Sequence, residues 1–220
     1  RENGVRVYEP APPLADPLDP PARAREVALL IARTLAPVSE SSLRAALPSR
    51  LSAAGGGKAA VVRSLLSTGA LAATEVDGVR YVWPADLTPV EGEPEGRVRL
   101  LAPFDPVVWD RRRFEHLWGW AYRFEAYTPA PKRRLGYYAL PLLWRDRVIG
   151  WANCSRGGAD DRLTVETGFV DGPPKARRFA AALDAEIDRL AAFLTPRAGS
   201  RPGRLPAPRP AERPAAVPAG

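Results

Sequence analysis

Residues 58–83 read KAAVVRSLLSTGALAATEVDGVRYVW, and this stretch decides the fold. Its first ten residues, Lys58–Ser67, put Val61, Val62, Leu65 and Leu66 at helical spacing on one face. Gly69 follows where a helix C-terminus takes a glycine. Leu71–Val76 and Val79–Trp83 are then short β-prone runs. They are joined by Asp77-Gly78, the strongest short-range signal for a two-residue hairpin. Upstream, Arg23–Leu35 predicts a helix with Val27, Leu30, Ile31 and Leu35 on its apolar face. Ser39 and Ser41 are candidate N-caps for a second short helix running to Leu47. The run Gly55-Gly56-Gly57 separates that helix from the third. Three helices and a two-stranded hairpin, in that order, describe a winged helix-turn-helix unit over residues 23–86.

Working outward, residues 1–22 read as a remnant strand ending in Val5-Arg6-Val7-Tyr8, followed by a Pro-rich connector. Residues 84–96 are a linker rich in Pro, Gly and Glu. Residues 97–194 then predict a small antiparallel β-domain. Its strands are Arg97–Ala102, Tyr122–Thr128, Gly136–Trp144, Val148–Ser155 and Leu163–Gly168, with a short helix Trp109–Leu117 between the first two. A long helix, Pro174–Leu194, closes it with Phe179, Leu183, Ile187, Leu190 and Phe193 inward. The expected class is α+β: a winged helix, then a half-barrel closed by a C-terminal helix. Residues 195–220 carry seven Pro with Ala, Gly and Arg, and predict a disordered basic tail.

Composition narrows the function. The chain has 220 residues and a formal charge of +7. That charge is localised: residues 97–156 hold twelve Lys or Arg against five Asp or Glu, while the part outside this block and the tail is net acidic. A basic central block suits a polyanionic partner. One cysteine, Cys154, excludes an internal disulfide framework and a zinc site built on paired cysteines. One histidine, His116, excludes a His-rich metal site, so no metal and no cofactor are expected. No apolar run approaches the roughly 20 residues of a membrane span. The expectation is a cytoplasmic monomer that does not enter membranes.

The segment from Leu100 to Arg156 carries a longer signature. It contains Phe104-Asp105-Pro106, Trp109-Asp110-Arg111, Tyr122-Arg123, Pro129-Ala130-Pro131-Lys132-Arg133-Arg134, Gly136-Tyr137-Tyr138, Leu140-Pro141 and Gly150. This ordered string resembles the C-terminal block of the winged-helix DNA glycosylases of the AlkZ/YcaQ type, and the resemblance covers about residues 1–194. It implies tandem winged helices that cup duplex DNA beside a C-terminal β-domain. It also implies hydrolysis of the N-glycosidic bond of alkylated or crosslinked bases. The family's catalytic residues lie in a Gln-x-Gln or Gln-x-Asp motif near the N-terminus. This chain has neither Gln nor Met, so the expectation is a DNA-binding portion lacking the catalytic motif and inactive alone. The family pattern Gly-Arg-x-Asp-x-Lys is also replaced here, by Gly150-Trp151-Ala152-Asn153-Cys154-Ser155.

The candidate DNA contacts are Arg111, Arg112, Arg113, Tyr122, Arg123, Lys132, Arg133, Arg134 and Tyr137. Against this stands a structural reading for each group. On a helix Arg111, Arg112 and Arg113 cannot all face one way, and Asp105, Asp110 or Glu115 could pair with them. Lys132, Arg133 and Arg134 could be a solvated loop. Trp109, Trp118, Trp120, Trp144 and Trp151 could be core rather than a stacking platform. Alternation along a strand would place Tyr137 and Tyr138 on opposite faces. His116 has no partner motif for acid–base work. The rival function is a winged-helix regulator or interaction module without catalysis, reading DNA with Lys58–Ser67. Only Lys58 and Arg63 suit that role, with no Asn or Gln to read bases.

Overall fold

The computed structural model describes residues 8, 17–49, 51, 56–88, 90–157 and 162–195. Of the strand expected to end at Tyr8 only Tyr8 itself is among them, outside any strand; the rest of it and the tail beyond residue 195 lie outside the described residues. Among the described residues the fold is α+β, with six α-helices and two antiparallel sheets.

The N-terminal part runs α1 (Pro20–Leu35), β1 (Val38–Ser39), α2 (Glu40–Ala46), α3 (Gly57–Ser67), β2 (Leu71–Val76) and β3 (Val79–Pro84). Helix α1 starts earlier than expected because Asp19 caps it, accepting the Ala22 N–H, with prolines in the first turn. Its buried stripe is Ala24, Ala28, Ala32 and Leu35, whereas Leu30 is 65% exposed. Small side chains let the helix approach its neighbours closely, which places the stripe about one residue away from the larger apolar set. Ser39 caps α2 through the Ser42 N–H. Helix α3 ends in a full Schellman pair: Ala70 N–H donates to the Leu65 carbonyl and Gly69 N–H to that of Leu66. Asp77 and Gly78 both take positive φ, the backbone of a type I′ turn, and set the register Val76 opposite Val79. Strand β1 pairs with β3, giving the sheet order β1-β3-β2. The core beneath is Leu43, Leu47, Val62, Leu65, Leu71 and Val82 with the α1 stripe.

The C-terminal part holds an open four-stranded sheet in the order β4 (Val98–Leu100), β5 (Leu140–Trp144), β6 (Arg147–Gly157) and β7 (Arg162–Phe169). Two short helices, α4 (Pro106–Trp109) and α5 (Arg111–Trp118), follow β4, each capped by an aspartate: Asp105 accepts the Val107 N–H, and Asp110 those of Arg112 and Arg113. Helix α6 (Arg177–Leu194) packs on β4 through Phe179. Glu186 is the second buried residue of α6, accepting the Leu100 N–H at 3.0 Å and two bonds from Arg189. Phe193, expected inward, is 79% exposed.

Two strand expectations are corrected. Residues 122–128 are not a strand, and β5 begins at Leu140 rather than Gly136. Between them the chain makes a 3-10 turn at Ala130–Lys132 and passes Gly136 at φ 122°. The backbone N–H groups of residues 134–136 bond to a carboxylate instead of a neighbouring strand.

Candidate nucleic-acid interface

The nine candidate residues separate into an inward group and an outward group. Arg113 is inward: only 4% exposed, it donates to the carbonyls of Leu35, Pro37 and Pro106. Two of these carbonyls lie at the end of α1 (Leu35) and in the loop after it (Pro37), so Arg113 ties the N-terminal part to the sheet domain. Burial lowers its pKa, and Asp110, Tyr81 and Asp105 oppose that only in part. Arg111 is half-buried, donates to the carbonyls of Val108 and Pro103, and lies 4.5 Å over the Tyr122 ring. Tyr122 is buried, its hydroxyl donates to the Ala139 carbonyl, and burial pushes its pKa up to about 12. Arg113 and Tyr122, both expected as DNA contacts, are thus buried. Neither has surface left to offer, because both satisfy backbone carbonyls inside the fold. Arg112, between them, is exposed.

The outward group forms a cleft. Arg123, Lys132 and Arg134 are exposed and line one cavity of about 410 Å³ with Phe124, Glu125 and Thr128. Glu125 explains why residues from two ends of a loop converge. Its buried carboxylate accepts the N–H groups of Arg134 at 2.8 Å, Leu135 at 2.7 Å and Gly136 at 3.4 Å. Burial raises the Glu125 pKa. The three N–H groups and the Arg123 charge outweigh that, so the carboxyl titrates below the usual glutamate range. The loop is braced twice more. Arg133 donates to the Thr128 carbonyl at 2.8 Å and sits 4.9 Å over the Tyr137 ring. Asn153 of β6 donates to the Leu135 carbonyl at 2.7 Å. A Cβ on Gly136 would stand 2.2 Å from the Asn153 side chain, so the strand can approach only because this residue is glycine.

Sequence reasoning missed Glu125, the one acid inside the loop block, whose role depends on partners about ten residues ahead. It also missed Phe124 and Thr128 as cleft-lining residues. Asn153 stood out only as a departure from the family pattern. Tyr137 and Tyr138 are both exposed because residues 137–138 form a turn, where strand alternation does not apply. Trp118, Trp120 and Trp151 pack around Phe114 as part of the core, and Trp144 packs on Phe179, while Trp109 is exposed. Asp105 and Asp110 act as helix caps. His116 accepts or donates through Nδ1 to the Tyr81 hydroxyl at 2.6 Å and stacks on that ring, joining the β2–β3 hairpin to α5. Cys154 is half-buried, which raises its thiol pKa.

Among the described residues there is no cluster of three His, Cys, Asp or Glu side chains able to hold a metal ion. No described helix is long and apolar enough to cross a membrane. What the cleft can do chemically is bind an anion: three cations surround it, and its one carboxylate is occupied by backbone N–H groups.

No solved structure matches the chain. The family model described as DNA glycosylase AlkZ-like matches residues 1–193, taking in both sheets, all six helices and the cationic cleft. The protein thus belongs to the AlkZ-like DNA glycosylase family.

Proposed function

We propose that this chain is the DNA-holding portion of an AlkZ-like glycosylase. Duplex DNA phosphates lie against Arg123, Lys132 and Arg134, with Arg112, Arg133 and Tyr137 as further contacts. The observation that carries this reading is the convergence of three exposed cations on one cleft whose loop is braced by Glu125. Guanidinium and ammonium groups on a preformed frame bind phosphate oxygens without reading sequence. The N-terminal part supports the duplex as a winged helix: its order α1-β1-α2-α3-β2-β3 and sheet β1-β3-β2 suit that role. Its domain limits are residues 23–86, with the sheet domain over 97–194.

Excision is not assigned to these residues. The chain has no Gln for a Gln-x-Gln or Gln-x-Asp motif, and Glu125 is committed to the backbone. The rival reading, a regulator led by α3, is weaker. Helix α3 exposes Arg63 and Ser67, while Ser64 is already bonded to Arg25.

Fluorescence anisotropy with a labelled duplex tests the reading, alongside a base-excision assay on an alkylated duplex. Salt-sensitive duplex binding that the variant R123A/K132A/R134A loses, with no base released, is the expected result. Unchanged binding by that variant, or loss of binding only on changing Lys58 and Arg63, would overturn it.

A further inference from the structure

Phe124 lines the cationic cleft and also touches three rings outside it. Its centroid lies 5.2 Å from Phe104, 6.1 Å from Tyr127 and 5.2 Å from Tyr138. All three pairs are edge-to-face, at 66°, 82° and 89°, so no pair in the set is stacked face to face. The outer rings are also open to solvent: Tyr127 is 93% exposed, Phe104 64% and Tyr138 44%. Four neighbouring rings beside three cations make an exposed apolar patch on a basic surface, an arrangement that marks an interaction site.

The chemistry selects the ligand. A paired duplex presents phosphates to the cations, but its bases are stacked on one another and give the rings nothing to cover. A strand with unpaired bases presents both, since every base has a π-face and a backbone charge beside it. We infer that Arg123, Lys132, Arg134 and the ring cluster Phe104–Phe124–Tyr127–Tyr138 form a subsite for unpaired DNA nucleotides. The phosphates sit in the cleft and one or two bases stack on Tyr127 and its neighbours. The inference rests on the DNA-holding role proposed above and narrows it, giving the surface a preference for DNA whose stack is already broken.

The test measures the full chain by anisotropy against three labelled probes. They are a paired duplex, the same duplex carrying a bulge of unpaired thymidines, and an oligothymidylate of about 12 nucleotides. The wild type binds the bulged duplex and the oligothymidylate about tenfold or more tighter than the paired duplex. Y127A removes most of that preference and leaves paired-duplex affinity unchanged. Y127W restores it, because a larger ring stacks as well. K132A/R134A weakens all three probes together. Photo-crosslinking of 5-iododeoxyuridine in the bulge places the adduct among residues 104–138.

Equal affinity of the wild type for paired and bulged duplexes overturns the stacking subsite while leaving the DNA-holding role intact. So does an equal loss on all probes in Y127A. Failure of the wild type to bind any of the three overturns the DNA-holding role itself.

Discussion

Two runs of three consecutive basic residues, Arg111-Arg112-Arg113 and Lys132-Arg133-Arg134, look alike in the sequence and have different fates in the fold. The first sits on helix α5, where successive side chains diverge around the axis. Arg113 turns inward onto three carbonyls, Arg111 onto two carbonyls and the Tyr122 ring, and Arg112 outward. The second begins on the last residue of a 3-10 turn. There Arg133 braces the loop, and Lys132 and Arg134 stay exposed beside Arg123. The first run holds the protein together through two of its arginines, and the second keeps two of its cations exposed in the cleft. What separates them is the supply of unpaired carbonyls nearby, not the acids that the sequence placed next to them. Neither Asp105 nor Asp110 forms an ion pair with these arginines: each gives its Oδ1 to helix N–H groups, and Asp110 Oδ2 is buried without a hydrogen-bond partner.

The largest effect expected from this contrast is on stability, at Arg113. Arg113→Ala strands the carbonyls of Leu35, Pro37 and Pro106. Charge-assisted bonds contribute about 1.5–3 kcal/mol each, so losing three costs on the order of 5 kcal/mol. Calorimetry should show a fall in Tm of roughly 10 °C. Arg113→Lys should recover little of it, since one ammonium cannot span three separated acceptors. A Tm within about two degrees of wild type, a small shift on the same scale, would mean that the first run is not structural.

Glu125 comes next, because it makes the second run into a cleft. Glu125→Ala leaves three N–H groups without their acceptor, at a cost of about 1–3 kcal/mol. The wild type carries a pH signature of the same bond. The Glu125 carboxyl is depressed in the folded state, so its contribution is fully present above the ordinary glutamate value of about 4.3. It is lost as pH falls through the lower folded value. Glu186, held by Arg189, Leu100 N–H and Arg99 against the cost of burial, has the same sign. Protection of the Arg134 and Leu135 amides, taken relative to their intrinsic exchange rates, should therefore fall below about pH 4 in the wild type, and at all pH values in the variant. Exchange that ignores both changes would break the account of the loop.

Gly136→Ala is expected to cost about 1–3 kcal/mol, from the left-handed backbone and the collision with Asn153. Asn153→Ala relieves the collision but not the backbone strain, so the double variant should recover part of the lost Tm. Full recovery would show that φ at this position does not matter. The smallest effect belongs to Arg112→Ala, exposed on the surface of α5, which should change stability by no more than about 0.5 kcal/mol.

Much of this was legible in the chain, and the failures have physical causes. Helix α3, its C-terminal glycine and the Asp77-Gly78 turn were readable because each signal is local. Strand β1 was not, since Val38-Ser39 is extended only through pairing with Tyr81 and Val82 across the sheet. The run Tyr122–Thr128 has the aromatic content of a strand, yet a carboxylate takes the hydrogen bonds a neighbouring strand would have taken. On α1 the large apolar residues pointed one way and the alanines, which pack closest, another. The family was readable from the ordered string between Leu100 and Arg156, and the match over residues 1–193 agrees with it. In the site, Lys132, Arg134 and Arg123 were named from charge alone. Their meeting in one cleft depends on Glu125 and Asn153, which no spacing rule connects to them.

The central claim is that the second run, with Arg123, supplies the main contacts to a phosphate backbone, while the first supplies at most one, through Arg112. The salt dependence of duplex binding measures this most directly, because removing one cation that neutralises a phosphate flattens the plot of log affinity against log salt by about 0.9. R123A/K132A/R134A should flatten the slope by roughly 2–3 relative to wild type, with an unchanged Tm. Arg112→Ala should alter it by about one unit or less. Parallel wild-type and triple-variant lines would contradict the account.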